Sequence, residues 1–298
     1  MQIGYIDGPR LRRALTAGCH WAQLQRGELN RINVFPVPDG DTGTNLYLTV
    51  QAIADHLADS TERSVGVVAQ EAAKACVLGA RGNCGMMLSH FLLGFARSIE
   101  GKTRIGASDF GGALEAGVQN LSEALEDPVE GTILTVLSDT ARAVSGAHIE
   151  DIAPLAEHML DRARDSLERT PELLPVLSAA GVVDAGAMGF VSLLEGVVMF
   201  LRGDPLSTES EENFTAGPPV VASIEYPERE ERYRFCTEAL VRGNDLISDL
   251  DVHVRTEGSR VQIADPGPNG CNRSSVHPDG RPETKLPLGQ GHVEAPNT

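Results

Sequence analysis

Aromatic residues, cationic residues and long apolar runs are scarce in this chain, and each scarcity excludes a class of protein. Aromatics make up 4% of the 298 residues, which argues against a β-sandwich, whose strands favour aromatic and β-branched side chains. The 25 Lys and Arg residues face 42 acidic residues, for a formal net charge of −17. A chain so acidic lacks the cationic surface that binds nucleic acid or anionic lipid, so neither partner is expected.

Features of membrane and secreted proteins are also missing. No stretch reaches the roughly 18 consecutive apolar residues of a membrane span, since the nearest candidate, residues 187–201, is interrupted by Glu195. Residues 1–15 contain no apolar core of a signal peptide. The five cysteines are odd in number and form no CxxC pair, which argues against a disulfide framework. We therefore expect a cytoplasmic protein without a membrane span.

Helical periodicity dominates the first two thirds of the chain. Apolar residues recur at helical spacing in eight segments: residues 9–30, 46–57, 65–80, 86–95, 109–125, 132–145, 152–169 and 189–201. No strand is predicted before residue 205, because the connections between these segments are mostly too short to contain one. The pattern predicts an all-α N-terminal domain of antiparallel helices whose glycine-containing loops gather at one end.

The composition changes after residue 203, and four regions follow from it. Residues 1–203 form the helical domain, and residues 204–231, which are polar, acidic and then Gly-Pro-Pro, form a linker. Residues 232–263 form a short α/β segment, with a strand or short helix at 232–242 and a strand at 250–255. Residues 264–298 hold six prolines and five glycines and too few apolar residues for a core, so a disordered tail is predicted.

Two carboxylates stand directly before one of the predicted helices. Asp39 and Asp41 flank a glycine, and side chains at i and i+2 of an extended segment point the same way, as ligands of Mg²⁺ would. The next four residues open a helix, whose free N–H groups and dipole favour a phosphate: Thr42, Gly43, Thr44 and Asn45. Metal ligands beside a phosphate site are typical of phosphoryl transfer. A solvated Asp-Gly turn is the alternative, but the flanking residues favour a metal site.

Three further loops resemble the first, because each contains glycine and precedes a helix. Residues 79–85 are suited to an anion, or equally to a helix C-cap. In residues 130–135 Thr132 is a plain N-cap candidate, and in residues 183–189 Asp184 is either an N-cap or a sugar ligand. Each loop alone has a purely structural explanation. Four such loops at helix entries together favour a shared site.

Residues 30–45, NRINVFPVPDGDTGTN, closely resemble the signature of the N-terminal kinase domain of the bacterial fatty acid kinases. That domain belongs to the DhaL-type family, named for the nucleotide-binding component of dihydroxyacetone kinase. Residues 79–83, 128–136 and 183–186 support the resemblance in the family's order, over residues 7–203. The resemblance implies an eight-helix antiparallel barrel that holds ATP and Mg²⁺ at one end. Some relatives join this domain to a DegV-type lipid-binding domain in one chain.

Site residues follow from the resemblance by position. Asp39 and Asp41 resemble the metal ligands; Val34 occupies the position of a third aspartate in dihydroxyacetone kinase, and Asn33 is the nearest oxygen donor. The resemblance implies nucleotide contacts from ten residues of the four loops: Thr42, Gly43, Thr44, Asn45, Gly82, Asn83, Cys84, Thr132, Asp184 and Gly186. Cys84 stands where the family more often has serine, which is a better hydrogen-bond donor.

The implied reaction is the formation of an acyl phosphate. A fatty acid held by a separate DegV-type carrier protein presents its carboxylate to the γ-phosphate of ATP, and no catalytic general base is needed because the nucleophile is already an anion. Two alternatives stay open: a dihydroxyacetone (glycerone) kinase, and a nucleotide-binding regulatory protein without turnover. Residues 232–263 resemble part of the fatty acid kinase middle domain, with Arg255 in place of a histidine. The sequence leaves the oligomeric state open, a homodimer included.

Overall fold

The computed structural model describes residues 3–204 in full and, beyond them, the backbone of four short strands. The chain divides into two compact units, of which the larger holds the helices and the smaller holds these four strands. Each unit is described by itself.

Eight long helices build the larger unit, as the periodicity predicts. They are α1 (Gly8–Leu24), α3 (Thr42–Ala58), α4 (Val65–Gly79), α5 (Gly82–Ser98), α6 (Ala107–Ala124), α7 (Ile133–Gly146), α8 (Ile152–Glu168) and α11 (Ala185–Arg202). Three short helices lie between them: α2 (Arg26–Arg31), α9 (Thr170–Leu173) and α10 (Pro175–Ala180). The all-α prediction is confirmed for this unit, and the predicted segment 9–30 is divided into α1 and α2.

Local chemistry explains where several helices begin and end. Asp7 accepts a hydrogen bond from the backbone N–H of Arg10 at 3.0 Å and so caps α1, and Asp151 caps α8 through the N–H of Ala153 at 3.3 Å. Gly203 ends α11 in the left-handed region, with φ of +77°. Each of these residues satisfies backbone groups that a helix end leaves without partners.

A two-stranded ribbon corrects the prediction that no strand precedes residue 205. β1 (Ile6–Asp7) pairs antiparallel with β2 (Arg104–Ile105), with Ile6 opposite Ile105. Two residues are too few to show an alternating pattern, so only the long-range pairing identifies them as strands.

The helix α11 lies at the centre of the packing. It contacts α1, α3, α7 and α8, and it approaches α1 so closely that a Cβ on Gly18 would lie 2.6 Å from the carbonyl oxygen of Leu193. A Cβ on Gly196 would lie 2.7 Å from the carbonyl oxygen of Ala17. α11 is long and apolar enough to cross a membrane by length and composition alone, and it packs against other helices of the bundle.

An apolar cavity of about 380 Å³ occupies the interior of the helical unit. Side chains from α1, α5, α8 and α11 line it, among them Leu11, Phe91, Leu155 and Phe190. The helices thus pack around a partly open apolar cavity, in keeping with the eight-helix barrel that the family resemblance implies.

The four strands after residue 204 form two pairs. β3 (Phe235–Glu238) pairs in parallel with β5 (Ser259–Gln262), and β4 (Leu240–Arg242) pairs antiparallel with β6 (His292–Glu294). The predicted strand or short helix at 232–242 therefore contains strands. β6 lies within the segment predicted to be a disordered tail, and that prediction stays a prediction. The linker 204–231, the predicted strand 250–255 and the rest of the tail lie almost entirely outside the described residues.

Candidate functional site

Asn33 presents a buried oxygen atom without a hydrogen-bond partner. The side chain is 5% exposed, and its Nδ2 donates a hydrogen bond to Asp39 Oδ1 at 2.7 Å. Its Oδ1 has no partner. A buried amide oxygen in this state lacks the interaction that nearly all such atoms have, and a cation or an ordered water would supply one. Asn33 thus fits the predicted metal site and also orients the carboxylate of Asp39.

Asp39 and Asp41 lie on an exposed turn immediately before α3. Gly40 between them has φ of +68°, so the segment turns here and is not the extended one that the sequence argument assumed. Asp41 is the N-cap residue of α3, but its carboxylate makes no capping hydrogen bond. Both carboxylates are exposed and accessible to a ligand. Among residues 3–204 no three His, Cys, Asp or Glu side chains form a metal-binding group, so a Mg²⁺ ion here would take Asn33, water or phosphate as its other ligands.

The first turn of α3 is held by Asn30, a residue that the sequence argument did not single out. Asn30 Nδ2 donates to Thr44 Oγ1, and the N–H of Thr44 donates to Asn30 Oδ1, both at 3.0 Å. Thr44, predicted to contact phosphate, therefore has its side chain and its N–H engaged by α2. Gly43 lies so close to α2 that a Cβ there would overlap the carbonyl oxygen of Arg26.

The second loop is tied to the first turns of α3. Gly82 has φ of +60°, and a Cβ there would lie 2.6 Å from Asn45 Nδ2, so the Asn45 side chain rests against this glycine. Thr49 Oγ1 donates to the carbonyl oxygen of Asn45 at 2.8 Å and accepts from the N–H of Arg81 at 3.1 Å. The structure thus brings two of the predicted nucleotide loops together. Asn83 lies exposed at the start of α5.

The third and fourth loops meet at Gly186. A Cβ on this glycine would lie 3.3 Å from Asp184 Oδ2 and 3.7 Å from both Cys84 Sγ and Ile133 Cβ. The starts of α5, α7 and α11 are therefore neighbours. Thr132 is the N-cap residue of α7, but its hydroxyl donates to the carbonyl oxygen of Val129 at 2.7 Å and makes no side-chain cap.

Burial raises the pKa of two ionisable groups at this junction, Asp184 and Cys84. It raises the pKa of Asp184 to about 6, although backbone N–H groups of Ala187, Ile133 and Gly186 favour the charged form and act against the shift. Burial, and to a smaller extent the carboxylate of Asp184, raise the pKa of Cys84 to about 12. The thiol of Cys84 is therefore neutral at physiological pH and is not an activated nucleophile.

A hydrogen-bonded carboxylate in the third loop was not selected from the sequence. Thr135 Oγ1 donates to Glu130 Oε2 at 2.5 Å and accepts from the N–H of Gly131 at 2.9 Å. Glu130 is exposed beside the junction of α7 and α11. In the sequence, only its position in the same loop as Thr132 points to Glu130 as a site residue.

Comparison with known proteins gives a family for this arrangement. A model of the DAK2 domain matches residues 36–199, which include every predicted site residue except Asn33. Protein YloV of Bacillus subtilis (strain 168) is 37% identical over 258 residues, which is 84% of this chain and 47% of that protein. Uncharacterized protein SERP0792 of Staphylococcus epidermidis is 36% identical over 249 residues, 80% of this chain and 44% of that protein. The chain thus spans less than half the length of these relatives.

A solved structure shows the same fold. The crystal structure of the dihydroxyacetone kinase from C. freundii in complex with AMP-PNP and Mg²⁺ matches 63% of this chain and 33% of that chain, with a TM-score of 0.51 and 17% identity. The match to the DAK2 model covers more than half of the chain and contains the four converging loops. This chain therefore belongs to the DAK2 domain family.

Proposed function

We propose that the helical unit binds ATP with Mg²⁺ and transfers the γ-phosphoryl group to an acceptor. One observation carries the proposal: four loops, each at a helix start, are connected by direct contacts and lie beside a buried amide oxygen without a partner. Helix N-termini favour phosphate groups, and oxygen ligands favour Mg²⁺. The kinase of similar fold was solved with AMP-PNP and Mg²⁺, which supports the same ligands here.

Asp39, Asp41 and Asn33 are the residues that would hold the metal. When bound, Mg²⁺ would neutralise charge on the phosphates of ATP. Asn33 orients Asp39 through the 2.7 Å hydrogen bond, so this ligand is held in place before the metal arrives.

The remaining loops would bind the phosphates and the nucleoside. Thr42, Gly43, Thr44 and Asn45 form the first turn of α3 beside the carboxylates, and Gly82, Asn83 and Cys84 form the first turn of α5. The positive dipole end of each helix would favour the phosphates there. Thr132 and Gly186 lie at the neighbouring starts of α7 and α11. The small residues of this last loop leave room for the flat groups of a nucleoside.

We further propose that the acceptor is the carboxylate of a fatty acid on a DegV-type carrier protein. Residues 30–45 support this substrate class through their resemblance to fatty acid kinase. Val34 also supports it over dihydroxyacetone, because Val34 is apolar and 1% exposed and cannot replace the third aspartate of dihydroxyacetone kinase as a metal ligand. A carboxylate acceptor needs no general base, so positioning and electrostatics are sufficient.

Isothermal titration with ATP, in the presence and absence of Mg²⁺, tests the nucleotide site. We expect Mg²⁺-dependent binding by the wild type and at least about tenfold weaker binding by Asp39→Ala/Asp41→Ala, because both carboxylate ligands are lost. Asp55→Ala/Asp59→Ala is the matched control, since both residues are exposed at the other end of α3. Equal binding by the wild type and the first double variant, or no binding by the wild type, contradicts the proposal.

Turnover assays then separate the substrate classes. Consumption of ATP with a fatty-acid-loaded DegV-type carrier supports the fatty acid kinase, and consumption with free dihydroxyacetone supports the alternative kinase. Intact binding of Mg²⁺ and ATP with neither reaction would identify a regulatory nucleotide-binding protein instead.

A further inference from the structure

Asp184 is a buried carboxylate that the proposed reaction does not use as an acid or a base. At 5% exposure it is the only buried Asp or Glu among residues 3–204. Burying a carboxylate is unfavourable unless it is hydrogen-bonded, so its partners indicate its role.

Backbone groups of two helices converge on this side chain. Asp184 Oδ2 accepts a hydrogen bond from the N–H of Ala187 at 2.8 Å, in the first turn of α11. The N–H groups of Gly186 and of Ile133, the first residue of α7, also face the carboxylate and favour its charged form. The side chain therefore caps α11 by a hydrogen bond and lies beside the first turn of α7, where a Cβ on Gly186 would be 3.7 Å from Ile133 Cβ.

A third helix is attached through the backbone of the same residue. The N–H of Asp184 donates to Thr170 Oγ1 at 3.1 Å, at the start of α9, and Thr170 is fully buried. Thr170 Oγ1 in turn donates to the carbonyl oxygen of Leu167 at 2.7 Å. The position of Asp184 relative to α7, α9 and α11 is thus defined by hydrogen bonds at both its backbone and its side chain.

We propose that Asp184 is a positioning residue, which holds the starts of α7 and α11 together as one wall of the nucleotide site, and not a ligand of the ribose. Its carboxylate accepts a hydrogen bond from Ala187, faces two further protein N–H groups and has almost no surface to offer to a ligand. The proposal rests on the proposed nucleotide binding, and it assigns Gly186 a steric role, because a Cβ there would lie 3.3 Å from Asp184 Oδ2.

Hydrogen exchange of the protein without nucleotide tests the positioning role directly. In Asp184→Asn we expect the amides of Ile133, Gly186 and Ala187 to exchange at least about tenfold faster, because an amide oxygen is a weaker acceptor than a carboxylate. Asp151→Asn is the matched control, since Asp151 caps α8 through Ala153 and otherwise accepts a hydrogen bond from Ile3, which is outside the four loops. Unchanged exchange at the three amides in Asp184→Asn overturns the proposal.

Asp184→Ser provides a second variant that can still cap α11, with the fluorescence of Trp21, the single tryptophan, reporting the folded state.

The wild type also tests the proposal without any substitution. Cys84 on α5 is the titratable group that faces Asp184, and its thiol is neutral, so protonation near pH 6 is that of Asp184 itself. Because the pKa of Asp184 is higher in the folded state than in a locally opened one, protonation favours the closed arrangement. Between pH 7.5 and pH 5, the three amides should therefore gain protection relative to Ala153, after correction for intrinsic exchange rates. Equal protection at both pH values overturns the proposal.

Binding assays distinguish positioning from ribose recognition. Asp184→Asn should weaken the binding of Mg²⁺-ATP, Mg²⁺-2′-deoxy-ATP and Mg²⁺-tripolyphosphate by the same factor, on the order of tenfold. Weaker binding of ATP alone would show a ribose contact and overturn the proposal. If the wild type binds none of the three, the proposed nucleotide function fails, and the exchange experiment still decides whether Asp184 holds the two helices together.

Discussion

At the scale of single residues, the site contains two buried polar side chains whose hydrogen bonding is unusual. Asn33 has a buried oxygen with no partner, and Asp184 is a carboxylate buried under three N–H donors. Neither state is favourable for folding by itself. Such local departures from satisfied polar groups are typical of functional positions.

Replacing Asn33 tests its oxygen as a ligand. We expect Asn33→Leu to weaken Mg²⁺-dependent nucleotide binding by about 10- to 100-fold, because it removes both the free oxygen and the orienting hydrogen bond to Asp39. Stability should change little, since the substitution also removes a buried acceptor without a partner. Isothermal titration and thermal unfolding give the two quantities. Asn33→Asp, which keeps the oxygen, is the control, and equal affinity of Asn33→Leu and wild type would contradict the ligand role.

The raised pKa of Asp184 predicts a particular pH dependence of stability. Because this pKa rises from 3.8 to about 6 on folding, the native state binds more protons than the unfolded state between these values. The contribution of Asp184 to stability is therefore lost as pH rises from about 4 to about 6. Relative to wild type, Asp184→Asn should gain stability over this window and show a constant difference above about pH 7. Urea unfolding across the pH range measures the difference, and a flat difference throughout would contradict the raised pKa.

Exchanging the unusual cysteine of the second loop tests its place in the site. We expect Cys84→Ser to strengthen Mg²⁺-ATP binding by about two- to fivefold, because a hydroxyl is a better donor than a thiol. The buried hydroxyl should cost about 1 kcal/mol of stability. Cys76→Ser is the control, since Cys76 is fully buried within α4, and it should lose stability without a gain in affinity. Equal effects of both variants on the affinity for Mg²⁺-ATP would contradict a contact between Cys84 and the nucleotide.

At the scale of elements, glycines determine how closely the helices approach. Gly18 and Gly196 bring α1 and α11 into backbone contact, and Gly43 does the same for α2 and α3. The last contact sets the start of α3 and thereby the place of Asp41. Glycines therefore determine both how closely the helices pack and where the carboxylates of the site lie.

A methyl group on Gly18 tests this close packing. We expect Gly18→Ala to destabilise the protein by about 1–3 kcal/mol, because its Cβ would lie 2.6 Å from the carbonyl oxygen of Leu193 and force the helices apart. Gly112→Ala on α6 is the control: no atom lies within 4 Å of its Cβ, so helix propensity should raise stability by up to about 1 kcal/mol. Chemical denaturation measures both changes. A Gly18→Ala variant as stable as wild type would show that α1 and α11 can separate without loss.

At the scale of the whole molecule, the buried apolar residues of the range 3–204 all belong to the helical unit. Its buried apolar residues extend from Ile6 to Val198, and all four loops of the site lie within the same range. The domain boundaries after residue 203, the cytoplasmic location and the oligomeric state stay predictions. The carrier protein belongs to the proposed function.

Ending the chain after residue 204 tests whether the helical unit is self-sufficient. We expect the shortened chain to unfold cooperatively, within about 5 °C of the full chain, and to keep its affinity for Mg²⁺-ATP. Differential scanning calorimetry and isothermal titration compare the two chains. Loss of cooperative unfolding would show that the later segments contribute to the fold.

The sequence by itself determined the helices and the position of the loops along the chain. Helical periodicity and glycine placement are local properties, so eight long helices and four loops at helix starts could be predicted, and the motif around Asp39 indicated the family. Only the tertiary structure decided how these parts meet. The ribbon of β1 and β2, the hold of Asn30 on Thr44 and the burial of Asp184 all depend on contacts between residues far apart in the chain. Local sequence patterns do not predict such contacts, because they form only when distant segments pack together.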